Sequence, residues 1–418
     1  MAARLLERDR DAVPEALNLA DDQRPGRCEA AIELLDSLER ESPFPGAARV
    51  GVTGAPGSGK STLLDAFVRR LRPRGDTVAI VAVDPSSRRS GGALLGDRIR
   101  VRSGSTDQGV FMRSMAARER LGGLADASRA SVAILAAAFD RVFVETVGVG
   151  QSESEVAGLV DGLLYVANPG AGDLLQFLKA GVLEFPDVFL VNKADAGPDA
   201  QRTAADLESS LGLGEPTDAG WSPPVLLASA RDGTGIDAVL ETLDAHRRHL
   251  VESGGLRERR QRGHERCVLD GLARRYGSHG LEKLGGAAGV AARVREIEGA
   301  SALAVIACLG REIEQALRKQ PQPAHSVQVD FYATLRLAVG QKTVDFPLPE
   351  GATVRDLLDA ITRLFPPLAE KLLDEAGGLS GNINVFIDGR GAPYLDDGLD
   401  TVLRTDQKVG IFPAVAGG

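Results

Sequence analysis

The sequence predicts an α/β protein: a parallel sheet with helices on both faces, followed by a smaller α+β domain. Three observations carry that prediction. A glycine-rich segment joins an apolar strand to a helix within residues 50–62. Short apolar strands at 49–52, 78–83, 141–144, 162–167, 188–191 and 225–228 alternate with helix-length segments, the pattern of a sheet buried on both faces. Beyond a proline-containing stretch at 320–326, the apolar positions alternate as in strands packed around one helix.

Residues 1–45 read as a helical segment, with apolar positions at Ala30, Ile32, Leu34, Leu35 and Leu38, closed by Pro43-Phe44-Pro45-Gly46. The next segment, 46–250, opens on a strand that runs into Gly54-Ala55-Pro56-Gly57-Ser58-Gly59-Lys60-Ser61-Thr62. Gly54 to Ser61 fits G-x-x-x-x-G-K-[ST], the phosphate-binding loop of P-loop NTPases. The glycines let the backbone curl until its N–H groups point inward at phosphate oxygens. The helix that follows adds its positive end. Lys60 is placed to reach the β- and γ-phosphates and Ser61 to ligate Mg²⁺.

Further polar motifs fall at the carboxyl ends of the strands, where sheets of this kind bind ligands. Asp84-Pro85-Ser86-Ser87 follows the second strand, and the polar loop 88–98 after it has the composition of a switch. Asp84 and Asp97 are candidates to hold Mg²⁺ or its waters, since hard cations take oxygen ligands. A helix-capping Asp84 and a solvated Asp97 are the alternatives. Glu145-Thr146-Val147-Gly148 follows the third strand. An acid there faces the metal, and Gly148 lies near the γ-phosphate. Gln151 is near enough in sequence to position a water, although it does not directly follow the glycine. Lys60, Glu145 and Gln151 are therefore the catalytic candidates. Pro169-Gly170-Ala171-Gly172-Asp173, after the fourth strand, reads as a mobile loop.

Asn192-Lys193-Ala194-Asp195 follows the fifth strand and fits N-K-x-D. Guanine offers a ring N–H and an exocyclic amine, a donor pair that adenine lacks, and a carboxylate at Asp195 accepts both. A site built on such pairing rejects an analogue that leaves it unpaired, so the expected nucleotide is GTP. Lys193 would lie along the base and Asn192 would tie the loops together. Ser229-Ala230 follows the sixth strand, where either a backbone N–H meets the guanine oxygen or the chain makes an ordinary turn.

Residues 251–319 read as a helical arm. Arg247, Arg248, Arg257, Arg259, Arg260, Arg262 and Arg266 make a basic run, ordinarily a solvated helix face. Leu303, Ile306, Leu309, Ile313 and Leu317 recur at helical spacing, a face for its own domain or a second subunit to cover. After the linker at 320–326, residues 327–418 form the smaller domain. Residues 327–335 alternate as a strand, with 342–346 as its hairpin partner. A helix opens at Thr353 with Asp356 as capping-box acid and carries Leu357, Leu358, Ile361, Leu364 and Phe365. Strands at 383–387 and 409–412 complete an α+β fold of the ubiquitin, or β-grasp, type. With 49 glycines in 418 residues, a chance Gly417-Gly418 ending has a probability of roughly 1%. A bare diglycine can thread a narrow enzyme channel and present the Gly418 carboxylate for adenylation.

The net charge of −9 does not favour a nucleic-acid partner. The N-terminus lacks a basic-then-apolar signal segment, and the longest apolar run, 132–139, is too short to span a bilayer. Cys28, Cys267 and Cys308 form neither a disulfide framework nor a C-x-x-C pair. A cytoplasmic protein without membrane contact is expected.

The motifs at 54–62, 83–87, 91–97, 169–173 and 192–195, and above all the string Glu145-Thr146-Val147-Gly148-Val149-Gly150-Gln151-Ser152-Glu153, resemble the MeaB/ArgK-like GTPases associated with methylmalonyl-CoA mutase, over roughly residues 5–320. The resemblance implies a homodimeric GTPase that gates adenosylcobalamin delivery to, and protection of, a cobalamin-dependent acyl-CoA mutase. The family's third switch usually reads Gly-Asp-Glu-Leu-Gln, where this chain has Gly172-Asp173-Leu174-Leu175-Gln176. Residues 327–418 resemble the MoaD/ThiS sulfur carriers through Phe331-Tyr332-Ala333-Thr334-Leu335-Arg336, Gly351-Ala352-Thr353-Val354 and the ending Val409-Gly410-Ile411-Phe412-Pro413-Ala414-Val415-Ala416-Gly417-Gly418. That resemblance implies adenylation of Gly418 by a MoeB-like activating enzyme, then thiocarboxylate formation or isopeptide linkage. A sulfur carrier or protein modifier governed by its GTPase half is the alternative function.

Overall fold

The structure is a computed structural model that describes every residue except 23, 85–106, 117–122, 147–155, 171–185, 212–219, 319–324, 375–377, 396, 405, 406 and 415–418. The chain divides into two units, Met1–Glu314 and Gln315–Gly418.

The first unit begins with helices α1 (Ala2–Leu6), α2 (Ala12–Asp21) and α3 (Pro25–Glu41). Strand β1 (Ala48–Thr53) leads into α4 (Lys60–Leu71), followed by β2 (Val78–Asp84), β3 (Val110–Ala116), α5 (Gly123–Ala138), β4 (Arg141–Thr146), β5 (Gly162–Ala167), β6 (Val188–Val191), α6 (Pro198–Leu211), β7 (Val225–Leu227) and α7 (Ile236–Glu252). Helices α8 (Gly255–Glu282), α9 (Gly286–Glu296) and α10 (Ala302–Arg318) make the arm. The seven strands are ordered β3-β2-β4-β1-β5-β6-β7, and every neighbouring pair is parallel. β1, the strand that feeds the glycine-rich loop, therefore sits at the centre.

Both faces of this sheet are apolar, so helices cover both. On one face Val50, Val52, Phe143, Leu164 and Leu190 pack with Leu63 and Phe67 of α4 and Val239 and Leu240 of α7. On the other, Ala79, Val81, Val142 and Val144 meet α5 and the N-terminal helices through Ile134, Leu135, Leu5, Leu17 and Leu34. One strand, β3, is not among the six apolar runs of the sequence. It lies at the sheet edge, and Met112 is 41% exposed, so it lacks the continuous apolar pattern of a strand buried on both faces.

A row of acids precedes the buried strands, and the arm is fastened there. Asp161 comes just before β5 and Asp187 just before β6. Arg259 of α8 gives Nη1 and Nη2 to the two carboxylate oxygens of Asp187, each at 2.7 Å, and Arg260 does the same to Asp161 through Nε and Nη2, each at 2.7 Å. The expected solvated basic face is thus corrected at these two positions: their side chains are only 17% and 22% exposed, and they are bidentate partners of buried acids. A further contact presses α8 onto the segment that leads into β5. A Cβ at Gly263 would lie 2.2 Å from the Gly158 carbonyl oxygen, so only glycine fits.

The second unit holds β8 (His325–Phe331), α11 (Ala333–Val339), β9 (Thr343–Leu348), α12 (Val354–Leu364), α13 (Ala369–Leu372), β10 (Ile383–Ile387), β11 (Arg390–Gly391) and β12 (Lys408–Pro413). Its sheet is mixed, in order β11-β10-β12-β8-β9, with β8 and β12 parallel and β8 and β9 antiparallel. Thr353 caps α12: its hydroxyl accepts from the Asp356 N–H, and Asp356 accepts in return from the Thr353 N–H. Leu357, Leu358 and Ile361 then bury against Val327, Val329, Phe331 and Ile411. The strand expected over 327–335 stops at Phe331 instead. Phe331, Leu335 and Val339 are four apart, a spacing that also suits a helix, and the chain turns into α11 with Leu335 buried.

Candidate functional site

The carboxyl ends of β1, β4, β6 and β7 converge on the loop between β1 and α4. That loop is fitted closely to the sheet. Gly54 adopts φ 140°, and a Cβ there would lie 2.1 Å from the Val166 carbonyl oxygen of β5. Lys60 opens α4 with its side chain folded over the loop, and its Nζ donates to the carbonyl oxygens of Gly54 at 2.7 Å and Ala55 at 3.1 Å. Both contacts hold an ammonium against the loop's own backbone, inside a nearly buried residue. Ala55, Pro56 and Gly57 line the loop's outer side, Ser58 is buried, and Thr62 is exposed on the first turn of α4.

Ser61 follows Lys60, and its hydroxyl donates to Glu145 Oε1 at 2.7 Å. Glu145 is the fifth residue of β4 and pairs in register with Val52 of β1. Thr146, one residue on, turns to the other face of the sheet and donates its hydroxyl to Thr53 Oγ1 at 2.9 Å. Asp84 ends β2 one residue past Val83, which pairs with Thr146. Its backbone is therefore beside this end of β4, and its side chain lies outside the described residues. Asp97, Gly148, Gln151 and Gly418 also lie outside them.

At the end of β6, Asn192 bridges two loops. Its Nδ2 donates to the Ser58 carbonyl at 2.8 Å, and its Oδ1 accepts from the Ala230 N–H at 3.1 Å. The Ala230 N–H, which the sequence offered to a guanine oxygen, is in this structure held by Asn192. Lys193 takes φ 58° and donates Nζ to the Gly57 carbonyl at 2.8 Å. Asp195 Oδ1 accepts from the Ser229 hydroxyl at 3.0 Å. The loop therefore presents one carboxylate, held at one oxygen by Ser229 and with Arg231 4.0 Å from the other, while the nearby Lys193 reaches the phosphate loop.

Sequence reasoning gave no role to Thr53 and Thr146, or to Asp161 and Asp187. A signal for the two acids was present: Asp140, Asp161 and Asp187 each stand directly before a buried strand, and a buried carboxylate needs a cationic partner. Asp187 also has the His246 imidazole 3.3 Å away. Burial pushes the Asp187 carboxyl up, but His246 and the Arg259 guanidinium more than reverse this and hold it at about 2.

Residues 13–276 match the family described as methylmalonyl-CoA mutase-associated GTPase MeaB. The chain belongs to the MeaB family. This MeaB-family chain is a GTPase, and its residues 329–418 match the ThiS family. It is 37% identical to the GTPase ArgK of Escherichia coli over 262 residues, which is 62% of this chain and 78% of ArgK. It is 34% identical to the mitochondrial methylmalonic aciduria type A homolog of Mus musculus over 272 residues, 62% of this chain and 66% of that one. Among solved structures it is similar to an LAO/AO transport system kinase, with a TM-score of 0.53, 26% identity, and coverage of 76% of this chain and 96% of the other. Among the described residues, no helix is long and apolar enough to cross a membrane.

Proposed function

We propose that this MeaB-family protein is a Mg²⁺-dependent GTPase that serves a cobalamin-dependent acyl-CoA mutase in the cytoplasm, gating adenosylcobalamin loading and protecting the loaded enzyme as a homodimer. The observation that carries the metal reading is the Ser61–Glu145 contact. A hydroxyl and a carboxylate oxygen 2.7 Å apart at the mouth of the phosphate loop are the hard oxygen donors that Mg²⁺ takes. Bound there, the ion would neutralise charge between the β- and γ-phosphates. Asp84 is a further candidate from the sequence, with Asp97. Lys60 would carry charge onto the phosphates, and Asp195, with Lys193 and Asn192, would read the guanine. Gly148 and Gln151 remain the sequence's candidates for γ-phosphate sensing and water positioning. The family's name and the Glu145–Glu153 string support the mutase partnership. In this reading, loss of the γ-phosphate releases the switch segments, and that release times cofactor transfer.

The test is adenosylcobalamin transfer to a co-purified mutase with GTP, GDP or a non-hydrolysable analogue. Transfer that needs hydrolysable GTP supports the gate. Loading that is indifferent to nucleotide, or a mutase that fails to co-purify, sinks it.

The ThiS match at 329–418 favours a second reading for the C-terminal unit. It would be a carrier activated at Gly418 by a MoeB-like enzyme and used in molybdopterin or thiolation chemistry under control of the GTPase.

A further inference from the structure

We infer that the buried hydroxyl pair Thr53–Thr146 is a positioning device for GTP hydrolysis, fastening the root of the segment after β4 to the root of the phosphate loop. Thr53 is the last residue of β1, and the next residue, Gly54, opens the loop. Thr146 is the last residue of β4, directly after Glu145. The strands are parallel with Val52 opposite Glu145, so the two threonines face each other one step further along. Their hydroxyls meet at 2.9 Å, and the residues are 0% and 1% exposed.

The alternation of a strand separates two tasks at this point. Val52 and Phe143 face α4, and so does Glu145, which reaches Ser61 at the start of that helix. Thr53 and Thr146 face the opposite side. On that side, two residues before Thr53, a Cβ on Gly51 would stand 2.9 Å from Val156 Cγ1 and 3.2 Å from Val160 Cγ2. The chain that leaves the sheet at Thr146 therefore comes back, at Val156, over the same strand that carries Thr53. One hydrogen bond ties together the departure point of this segment, the strand end bearing Glu145, and the residue before the phosphate loop.

Stability does not account for the pair. Valine has the same branched shape and the same preference for strands. Replacing both partners of a buried hydrogen bond by apolar groups of that shape is nearly neutral or stabilising, whereas removing one leaves a buried hydroxyl unpaired. What valines would not supply is a directional link across the end of β1 and β4. The inference rests on the reading of Ser61 and Glu145 as metal ligands, because its consequence passes through Glu145. With the link gone, the end of β4 can shift, and Glu145 loses its fixed distance to Ser61.

The experiment compares the full chain with Thr146→Val, Thr53→Val, the double valine variant, Thr146→Ser and Thr53→Ser. The double valine variant should keep or raise the melting temperature. It should also lower kcat for GTP by about tenfold, raise the Mg²⁺ concentration at half-activity several-fold, and leave GDP affinity within about twofold, the pattern of an interaction used in turnover and not in ground-state binding. The serine variants should restore kcat, and the two valine changes should not add, because they remove the same bond. Should a single valine variant fail to fold, the double variant carries the test, since it leaves no hydroxyl stranded. Ser61→Ala tests the metal reading alone. An unchanged Mg²⁺ requirement there would overturn that reading, while the threonine pair is judged by kcat and serine rescue. A double valine variant that turns over GTP at the wild-type rate overturns the inference. So do serine variants as slow as the valine ones, which would assign the effect to packing.

Discussion

Asp195 is where the choice of base should be made, because its carboxylate stands at the end of β6 with one oxygen anchored by Ser229. Guanine presents two donors to such a group, and an amide can accept only one of them. Asp195→Asn is therefore expected to weaken GTP binding by about 1.5–3 kcal/mol, the range for hydrogen bonds to a charged group, and to favour xanthine nucleotides, which carry an acceptor where guanine carries its amine. Competition titrations against a labelled nucleotide check this, and an unchanged GTP affinity would show the base pocket to be elsewhere. Lys60 makes the complementary case. Its Nζ rests on the Gly54 and Ala55 carbonyls, so removing it empties no apolar core. Lys60→Ala should cut kcat by roughly 100-fold or more, the scale of losing one preorganised charge contact, with a normal circular dichroism spectrum. Phosphate release near the wild-type rate by a folded variant would contradict the P-loop assignment.

At the scale of elements, the arm is held by the ends of two strands. β6 carries Asp187 before its first residue and Asn192 after its last, so one short strand joins the Arg259 anchor to the N-K-x-D loop. Asp187 is buried and held at about 2. A carboxyl kept below its ordinary value of 3.8 stabilises the fold at all pH values above about 4 and surrenders that stability as pH falls toward 2; the difference amounts to about 2 kcal/mol. Acid unfolding followed by fluorescence of Trp221, whose ring lies 4.9 Å from that of His246, should shift upward in pH for Arg259→Ala. That variant should also lose about 1.5–3 kcal/mol at neutral pH, the range for hydrogen bonds to a charged group, because Asp187 keeps His246 at 3.3 Å and the Leu163 N–H at 2.7 Å. A variant as stable as wild type from pH 7 to 3 would show that the anchor is idle. This anchor also marks the limit of what could be read from sequence. The buried strands were legible because each is a continuous apolar run, and the phosphate loop and N-K-x-D segment because their spacing follows ligand geometry. β3 was not, since an edge strand keeps polar positions. Arg259 and Arg260 were not, since a charge run looks the same whether it faces water or two acids far away in sequence.

For the whole molecule, the question is whether two units with separate cores also have separable chemistry. The first unit contains every described residue of the candidate nucleotide site, and the second has its own apolar core around α12. Activity in one therefore need not depend on modification of the other. Activation of Gly418 requires a carboxylate that can attack the α-phosphate of ATP in a partner's site, expelling pyrophosphate, and the residues from Ala414 to Gly418 bring no bulky side chain to obstruct it. Incubating the full chain with ATP and a MoeB-like enzyme should add an adenylate to its intact mass. Sulfide should then attack the adenylate's acyl carbon, expel AMP and leave a thiocarboxylate about 16 Da heavier than the acid, because sulfur replaces oxygen in the second step of covalent activation. Deleting Gly417 and Gly418 from the chain should erase both species while GTP hydrolysis stays at its original rate. If the tail remains unmodified with every activating enzyme of the same genome, the C-terminal unit is not a carrier. If the deletion slows hydrolysis, the two chemistries are coupled and the carrier unit regulates the GTPase.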